Sequence, residues 1–440
     1  MKTRVTNWGN YPVTEAEVIS FRSEEDGKRA ISAGTPVIPR GLGRCYGDSA
    51  LGQQILAMTS FNRFLSFDES NGIIVCEAGV SLAEIIQVAL PRGFFLPVTP
   101  GTKFVTVGGA ISSDVHGKNH HVSGCFSRHV VWMDVMIESG AVIRCSETEH
   151  PDLFSATAGG MGLTGVILRA AIKLIKVETP FIMQETVKAR NLQEIMDAFE
   201  QSGGFTYSVA WIDCVTGGNS RGRSILFRGE HATNDDLRRA GFTKKFKDKP
   251  KLNVPVYFPE FALNRFTVKA FNTANYMKSP SGTRASVIDY DTFFYPLDAV
   301  LNWNRIYGRR GFTQYQFVLP PESSKEGLTT VLKKIEAAGE GSFLAVLKLF
   351  GKEEGVISFP REGYNLALDF AISERTFRLL DELDAIVLDY GGRFYFTKDA
   401  RMQPETFRRG YPRMDDFLKT VSKYNPNRKF RSLQSERLKL

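Results

Sequence analysis

Three glycine-rich segments before residue 170 constrain this 440-residue chain more than any other feature. The first, Pro39-Arg40-Gly41-Leu42-Gly43-Arg44-Cys45-Tyr46-Gly47-Asp48, follows a predicted short strand at 36–40. Its glycines let the backbone turn N–H groups onto a phosphate. It is not the Rossmann fingerprint, because Gly41-Leu42-Gly43-Arg44-Cys45-Tyr46 lacks the third glycine, and no Gly-Lys-Ser/Thr closes it as in a P-loop. The second, Thr99-Pro100-Gly101-Thr102, leads to Val107-Gly108-Gly109-Ala110-Ile111-Ser112-Ser113. That stretch reads as the start of a helix whose N-terminus can face a pyrophosphate. The third, Gly159-Gly160-Met161-Gly162-Leu163-Thr164-Gly165, feeds a strand opening at Val166. Each alone reads as a turn. Three in one region point to a large, extended dinucleotide.

Asp114-Val115-His116-Gly117-Lys118-Asn119-His120-His121 follows the second segment, and four of the six histidines (His116, His120, His121, His129) fall nearby. A zinc site is one reading. Against it, no Cys or carboxylate stands at ligand spacing, and Lys118 would place positive charge beside the metal. A polar loop over a ligand fits better, and no metal is expected. The balance of 56 Lys+Arg against 48 Asp+Glu gives +8, which suits phosphate-bearing ligands, acidic membrane surfaces or nucleic acid without choosing among them. Five scattered cysteines, a polar 1–13 and no apolar run near the ~20 residues of a spanning helix lead to the expectation of a cytoplasmic protein, at most peripheral at the inner membrane face.

Along the chain, 72–79, 129–138, 141–145 and 163–175 read as strands, and 81–90 as a helix opened by a Ser81/Glu84 capping box. Beyond 180 the pattern gives a helix at 191–201 and strands at 205–213 and 223–227. The stretch 229–282 resists assignment. Arg238, Arg239, Lys244, Lys245, Lys247, Lys249 and Lys251 interleave there with Phe242, Phe246, Tyr257, Phe258, Phe261, Phe266, Phe271 and Tyr276. It reads as a surface insertion or as a basic, aromatic lid that touches an acidic membrane surface. Strands return at 312–319, 343–350 and 365–371, with helices at 324–338 and 374–390. Two-residue alternation places Gln314 and Gln316 on one strand face, isolates Lys348 between Leu347 and Leu349, and aligns Asn365, Ala367 and Asp369. These polar residues line either a cavity or a solvated sheet face.

Together these segments resemble the vanillyl-alcohol-oxidase/p-cresol-methylhydroxylase (PCMH) family of FAD-linked oxidoreductases, and within it most closely the decaprenylphosphoryl-β-D-ribose 2′-oxidases. The likeness runs nearly end to end: Trp8-Gly9, the three glycine segments, His116 to His121, His129, Met133-Asp134, Gln314-Tyr315-Gln316-Phe317, Phe343, Lys348-Leu349-Phe350-Gly351, Asn365, Asp369-Phe370, Gly392-Arg393, Lys398-Asp399 and Tyr411-Pro412-Arg413. It implies an α+β chain with a two-domain FAD-binding PCMH-type fold. The FAD domain would span 1–180 with a C-terminal return over 393–440. An antiparallel-sheet substrate domain would span 181–392, with a mobile basic insertion near 229–282.

The resemblance also implies site residues. FAD contacts would come from Arg40, Gly41, Leu42, Gly43, Arg44, Cys45, Tyr46 and Gly47; from Pro100, Gly101, Thr102, Val107, Gly108, Gly109, Ala110, Ser112, Ser113, His116, Gly117 and Asn119; and from Gly160, Gly162, Gly165, Val166 and Lys398. No histidine stands in the first loop to tether the flavin, so non-covalent FAD is expected, with Cys45 the remaining candidate tether. Lys398 and His116 would be catalytic. Tyr46, Lys118, Gln314, Gln316, Lys348 and Asn365 would hold the substrate. The hydroxyl proton would go to His116, to neutral Lys398 or to water. The implied reaction takes hydride from C2′ of a polyprenylphosphoryl-β-D-ribose to give a ketone, the first half of an epimerisation to the arabinose used in cell-wall synthesis. A separate NADH-dependent keto-reductase would complete it. One departure stands out: where actinobacterial members carry cysteine, this chain reads Tyr364-Asn365-Leu366-Ala367. The alternatives are an aldonolactone or alditol oxidase on the same fold and, in another class, a basic nucleic-acid-binding protein. No recognition helix or aromatic RNA-binding motif supports the last, so nucleic acid is not an expected partner.

Overall fold

The computed structural model describes residues 2–246, 251–353 and 355–440. Lys247 and Lys249 of the basic stretch lie outside the described residues. The chain is an α+β protein. Strands β1 (Lys2–Thr6), β2 (Val13–Ser20), β3 (Val37–Arg40) and β4 (Gln54–Ala57) form a small sheet in the order β1-β2-β4-β3. In it β2 and β3 flank β4 in parallel, and β1 is antiparallel at the edge. The first glycine loop therefore leaves the sheet at the end of β3.

A second, antiparallel sheet contains β5 (Phe64–Asp68), β6 (Ile73–Glu77), β7 (Val130–Met136), β8 (Val142–Cys145) and β9 (Val166–Lys173), ordered β5-β6-β9-β7-β8. Helix α1 (Leu82–Ala89) packs on it. Ser81 Oγ accepts the Glu84 N–H at 3.2 Å, and the Glu84 carboxylate accepts the Ser81 N–H at 2.7 Å. Leu82, Ile85, Ile86 and Ala89 form the buried stripe that the sequence spacing announces. Helix α2 (Val107–Ser112) begins at Thr106, whose Oγ1 accepts the Gly109 N–H at 3.2 Å.

The third sheet has eight strands: β10 (Phe181–Ala189), β11 (Tyr207–Ile212), β12 (Ser224–His231), β13 (Thr283–Asp289), β14 (Phe312–Leu319), β15 (Ala345–Phe350), β16 (Gly363–Ala371) and β17 (Arg393–Phe394). They run antiparallel in the order β13-β10-β12-β11-β15-β16-β14-β17. One face carries Tyr315, Phe317, Leu347, Leu366 and Leu368 into a core shared with α3 (Leu192–Glu200) and with two further helices named below. Alternation turns Gln314, Gln316, Val346, Lys348, Ala367 and Asp369 to the opposite face, where they line a cavity. The pattern was compatible with a solvated sheet face; the structure selects the cavity.

The stretch 229–282 contains more regular structure than its sequence suggests. Strand β12 runs on to His231, a short helix follows at Asn234–Arg239, and a 14-residue helix, α4 (Arg265–Lys278), starts at Asn264, whose Oδ1 accepts the Phe266 and Thr267 N–H groups at 2.8 and 3.1 Å. Its hydrophobic periodicity is inverted. Asn272 is fully buried while Phe266 and Met277 face outward, so the pattern that normally reveals an amphipathic helix is missing. Helices α5 (Pro321–Ala338) and α6 (Glu374–Asp389) then cover the apolar face of the third sheet.

After β17 the chain returns to the first two sheets. Helix α7 (Met414–Tyr424) packs on the helix Pro151–Thr157, with Lys423 Nζ 2.6 Å from the Asp152 carboxylate. Asn425 donates to the Leu163 carbonyl at 3.0 Å, and Phe430 bridges to Val37 of β3. The last helix, α8 (Leu433–Leu438), contributes Arg437 to a buried ion cluster described below.

Candidate active site

A cavity of about 670 Å³ lies between the glycine segments and the third sheet. That is within the range of small-molecule and cofactor sites, about 300–1,000 Å³. Its first wall is the loop after β3. The Arg40 guanidinium donates to the Thr6 carbonyl at 2.8 Å and to the Asn7 side chain, which clamps the loop onto the N-terminal strand. The clamp explains two glycines. Gly43 has φ +63°, and a Cβ there would lie 2.2 Å from Arg40 Nη2; a Cβ on Gly41 would lie 2.1 Å from Thr106 Oγ1. Arg40, Gly41, Leu42, Gly43, Arg44, Cys45 and Tyr46 all line the cavity. The N–H groups of Leu42, Gly43 and Arg44 have no protein acceptor among the described residues. Three such groups in sequence around a left-handed glycine make an anion-binding concavity.

The second segment contributes Pro100, Gly101 and Thr102, then Gly108, Gly109, Ser112, Ser113, His116, Gly117 and Lys118. Gly101 has no neighbour within 4 Å of an added Cβ, so a side chain there would enter open space. The expectation that the α2 N-terminus faces a pyrophosphate is not met. Its Val107, Gly108 and Gly109 N–H groups are already bonded to Val80 O, Ala78 O and Thr106 Oγ1. The third segment lines the cavity with Gly162 and Gly165.

Seven of the residues named from sequence stand behind this lining. Val107, Ala110 and Val166 are fully buried in the apolar core. Gly47 and Gly160 pack where no Cβ fits, 1.7 Å from Asp399 O and 2.0 Å from Ala156 O. Asn119 anchors its loop by donating to Pro97 O at 2.8 Å and Ser123 Oγ at 3.0 Å. Asn365 is fully buried behind Gln316. Conversely, Leu297, Asp298 and Trp303 line the cavity without any motif in the sequence to mark them, and Phe271 of the basic, aromatic stretch and Thr397 beside Lys398 join them. Only the tertiary fold brings them there.

The four clustered histidines disperse. His121 Nε2 meets Phe205 O at 3.0 Å, His129 Nε2 meets Ser123 O at 3.0 Å, and only His116 faces the cavity. His120 instead meets Cys125 and Glu353, their ligand-type atoms within 4.8 Å of one another, a grouping that sequence spacing hides. Arg128 donates to both Glu353 oxygens at 3.2 Å, placing a guanidinium at that carboxylate.

At the third-sheet wall, Gln316 Nε2 donates to His116 Nε2 at 3.0 Å and to Asn365 Oδ1 at 2.8 Å. The first bond makes His116 Nε2 an acceptor and leaves the ring proton on Nδ1. Burial, reinforced by Lys348, holds His116 neutral, well below the usual histidine range. Lys398 sits in the turn after β17, its N–H on Tyr395 O at 2.9 Å and its Nζ 3.8 Å from the Tyr46 ring centroid. Burial lowers Lys398 to about 7, against an upward pull from Asp369. Asp369 is raised to about 7, chiefly by burial, and accepts from Gln314 Nε2 at 2.6 Å. Burial also lowers Lys118 to about 7 and Lys348 to about 8. Behind Lys398, Arg437 of α8 bonds Asp399 and Asp48 at 2.8 Å each, tying the lysine turn to the first loop.

The glycine wall fits a flat, diphosphate-bearing cofactor, and the three half-buried lysines fit anionic ligands. The comparisons agree. Residues 16–146 match the model of the FAD binding domain. The chain is 39% identical to decaprenylphosphoryl-β-D-ribose oxidase of Mycolicibacterium smegmatis, over 99% of this chain and 97% of that one. It is 30% identical to an uncharacterized protein in the mprA 5′ region of Streptomyces coelicolor, over 82% of this chain and all of the other. L-gulonolactone oxidase of Bos taurus is 29% identical over only 32% of each chain. The shared FAD-binding region and the near end-to-end likeness place this chain in the family of decaprenylphosphoryl-β-D-ribose oxidases, FAD-dependent oxidoreductases of the two-domain PCMH-type fold.

Proposed function

We propose that the protein oxidises the 2′-hydroxyl of a polyprenylphosphoryl-β-D-ribose to the ketone, using non-covalently held FAD. The observation that carries this reading is the charge of the cavity. Lys118, Lys348 and Lys398 all line it, and none forms an ion pair with a carboxylate among the described residues. Lys398 has Asp369 near it, itself pushed toward its neutral form by burial, and Lys118 has the Phe293 carbonyl, so positive charge in this partly desolvated cavity stays costly unless a ligand supplies the anion. A sugar phosphate does so; a neutral lactone or alditol does not. The lactone-oxidase likeness covers 32% of the chain, against 99% for the ribose oxidase of Mycolicibacterium smegmatis, so it supports the alternative less.

FAD supplies the hydride-accepting, two-electron chemistry. The Leu42, Gly43 and Arg44 N–H groups would hold its diphosphate, and the open backbone at Gly101 would admit its ring system. Lys398, its amine pushed toward the neutral form by burial, binds the reacting hydroxyl and takes its proton; the nearby Asp369 favours the charged form that results. His116 is a positioning group, because Gln316 already engages its Nε2 lone pair. Lys118 and Lys348 take the phosphate, and Phe271, Leu297 and Trp303 receive the first apolar part of the tail.

No helix among the described residues is long and apolar enough to cross a membrane. A lipid-linked substrate would be met at a bilayer surface, which we place at the inner face of the cytoplasmic membrane. The ketone product requires a separate NADH-dependent reductase to complete the epimerisation. Turnover of polyprenylphosphoryl-ribose, free pentoses and aldonolactones by the purified protein tests the reading. Turnover confined to the phosphate-linked sugar is expected; equal rates on lactones would contradict it. Acid precipitation should release all the FAD into solution, and flavin retained on Cys45 would contradict non-covalent binding.

A further inference from the structure

Helix α4 has two faces of opposite use. Val268 and Asn272 are buried, and Phe271 and Asn275 line the cavity. Asn272 donates to Asp213 Oδ1 at 3.0 Å and to Ser342 O at 3.3 Å, and Arg223 donates to Thr273 Oγ1 at 3.0 Å. These bonds fasten the helix to the cavity rim. The other face carries Phe266, Ala270 and Met277 in one stripe. Phe266 is 82% and Met277 72% exposed, and the preceding segment adds Leu252 at 71%, Val256 at 65% and Phe261 at 79%. Such concentration of exposed apolar side chains marks an interaction surface.

The charge of this segment indicates the partner. Lys251, Arg265, Lys269 and Lys278 accompany the apolar residues, and the single acid between them, Glu260, is paired with Arg310 at 2.9 Å. Exposed phenylalanines flanked by basic residues that pair with no carboxylate among the described residues match a leaflet of anionic lipid, where rings enter the acyl boundary and ammonium groups meet headgroup phosphates. We propose that the 252–277 face seats the protein on an anionic lipid surface, with the cavity end at Phe271 and Asn275 opening toward it. This deepens the reading above and rests on it for one point, that the substrate carries a lipid tail. α4 would then join both surfaces: its inner side meets the sugar end of the substrate's tail, and its outer side meets the bilayer from which that tail emerges.

The test uses the FAD-loaded protein and vesicles that contain no substrate, made of phosphatidylcholine alone or with added phosphatidylglycerol. Co-sedimentation with the phosphatidylglycerol vesicles is expected, and it should weaken with salt. The double substitution Phe261→Glu, Phe266→Glu changes two exposed side chains, and should lower the bound fraction by about tenfold or more with an unchanged flavin spectrum. It should also raise KM for substrate presented in vesicles while leaving kcat in detergent unaltered. No sedimentation of the parent protein, or equal sedimentation of the variant, overturns the proposal. So does a variant that merely converts a dimer to a monomer, which would assign the face to a second copy. Because the vesicles lack substrate, a parent protein that turns over substrate without binding vesicles refutes this surface alone, and one that binds vesicles without turnover refutes only the proposed reaction.

Discussion

Substituting Lys348 by methionine should make the flavin-free protein more stable and the enzyme worse. The ammonium stands on the cavity face of β15 between Leu347 and Leu349, and burial lowers it from 10.5 to about 8. At ~1.4 kcal/mol per decade, that displacement is worth up to about 3 kcal/mol. The side chain reaches cavity water, so about 1–2 kcal/mol is the realistic gain. The sign follows from proton counts. Above the folded-state value the folded protein binds fewer protons than the unfolded chain, so charge on Lys348 costs stability most at pH below about 8. The cost fades as pH rises from there toward 10.5. With unfolding entropy near ~2.1 cal/mol/K per residue, each kcal/mol moves Tm by about 1 °C in a chain this long. Lys348→Met should therefore raise the Tm of flavin-free protein by about 1–2 °C at about pH 6, and by less at about pH 9.5. In the holoenzyme the same change should cut kcat/KM for phosphate-linked ribose by about tenfold to a hundredfold. Calorimetry at the two pH values and steady-state turnover measure both effects. A variant that is less stable at low pH, or equally shifted at both, would show that Lys348 is already compensated and the charge argument is wrong.

Three further outcomes follow from single contacts. Gln316→Leu strands His116 Nε2 and Asn365 Oδ1 in a buried site, which should cost about 2–4 kcal/mol in denaturant unfolding and lower kcat more than it raises KM. Gly41→Ala drives a Cβ into Thr106 Oγ1, the cap of α2, and should weaken FAD retention by about tenfold or more on ultrafiltration while the fold survives by circular dichroism. Arg437→Met leaves the Asp48 and Asp399 carboxylates unpaired, and should cost about 3 kcal/mol, with the loss easing at acid pH as those carboxylates protonate.

Local features made much of this legible. A capping box and a four-residue apolar stripe fix α1, and two-residue alternation in β14 and β16 separates the residues that meet α5 and α6 from those that meet the cavity. Glycines at 41 and 43 are readable because their need is steric, and Gly101 because it borders open ligand space. What was hidden depends on distant partners. The α2 N-terminus looks available until Val80 and Ala78 are seen to accept its N–H groups. The histidine run looks like one cluster, yet a helical turn at His120–Ser123 sends His116, His121 and His129 to different partners. Helix α4 escaped because one of its two buried positions is an asparagine, Asn272 beside Val268, while Phe266 and Met277 are exposed, which blurs the usual pattern. Leu297, Asp298 and Trp303 reach the cavity only through the packing of segments that carry no motif.

The central claim is that one cavity holds the flavin against the glycine loops and a phosphate-linked pentose against Lys398, Lys348 and Gln316. Anaerobic titration of the purified protein with polyprenylphosphoryl-ribose, followed by flavin absorbance, tests it most directly. The account predicts stoichiometric bleaching in the parent protein, and none in Lys398→Ala with its FAD still bound. Bleaching at the parent rate in Lys398→Ala, or none in the parent, would contradict it.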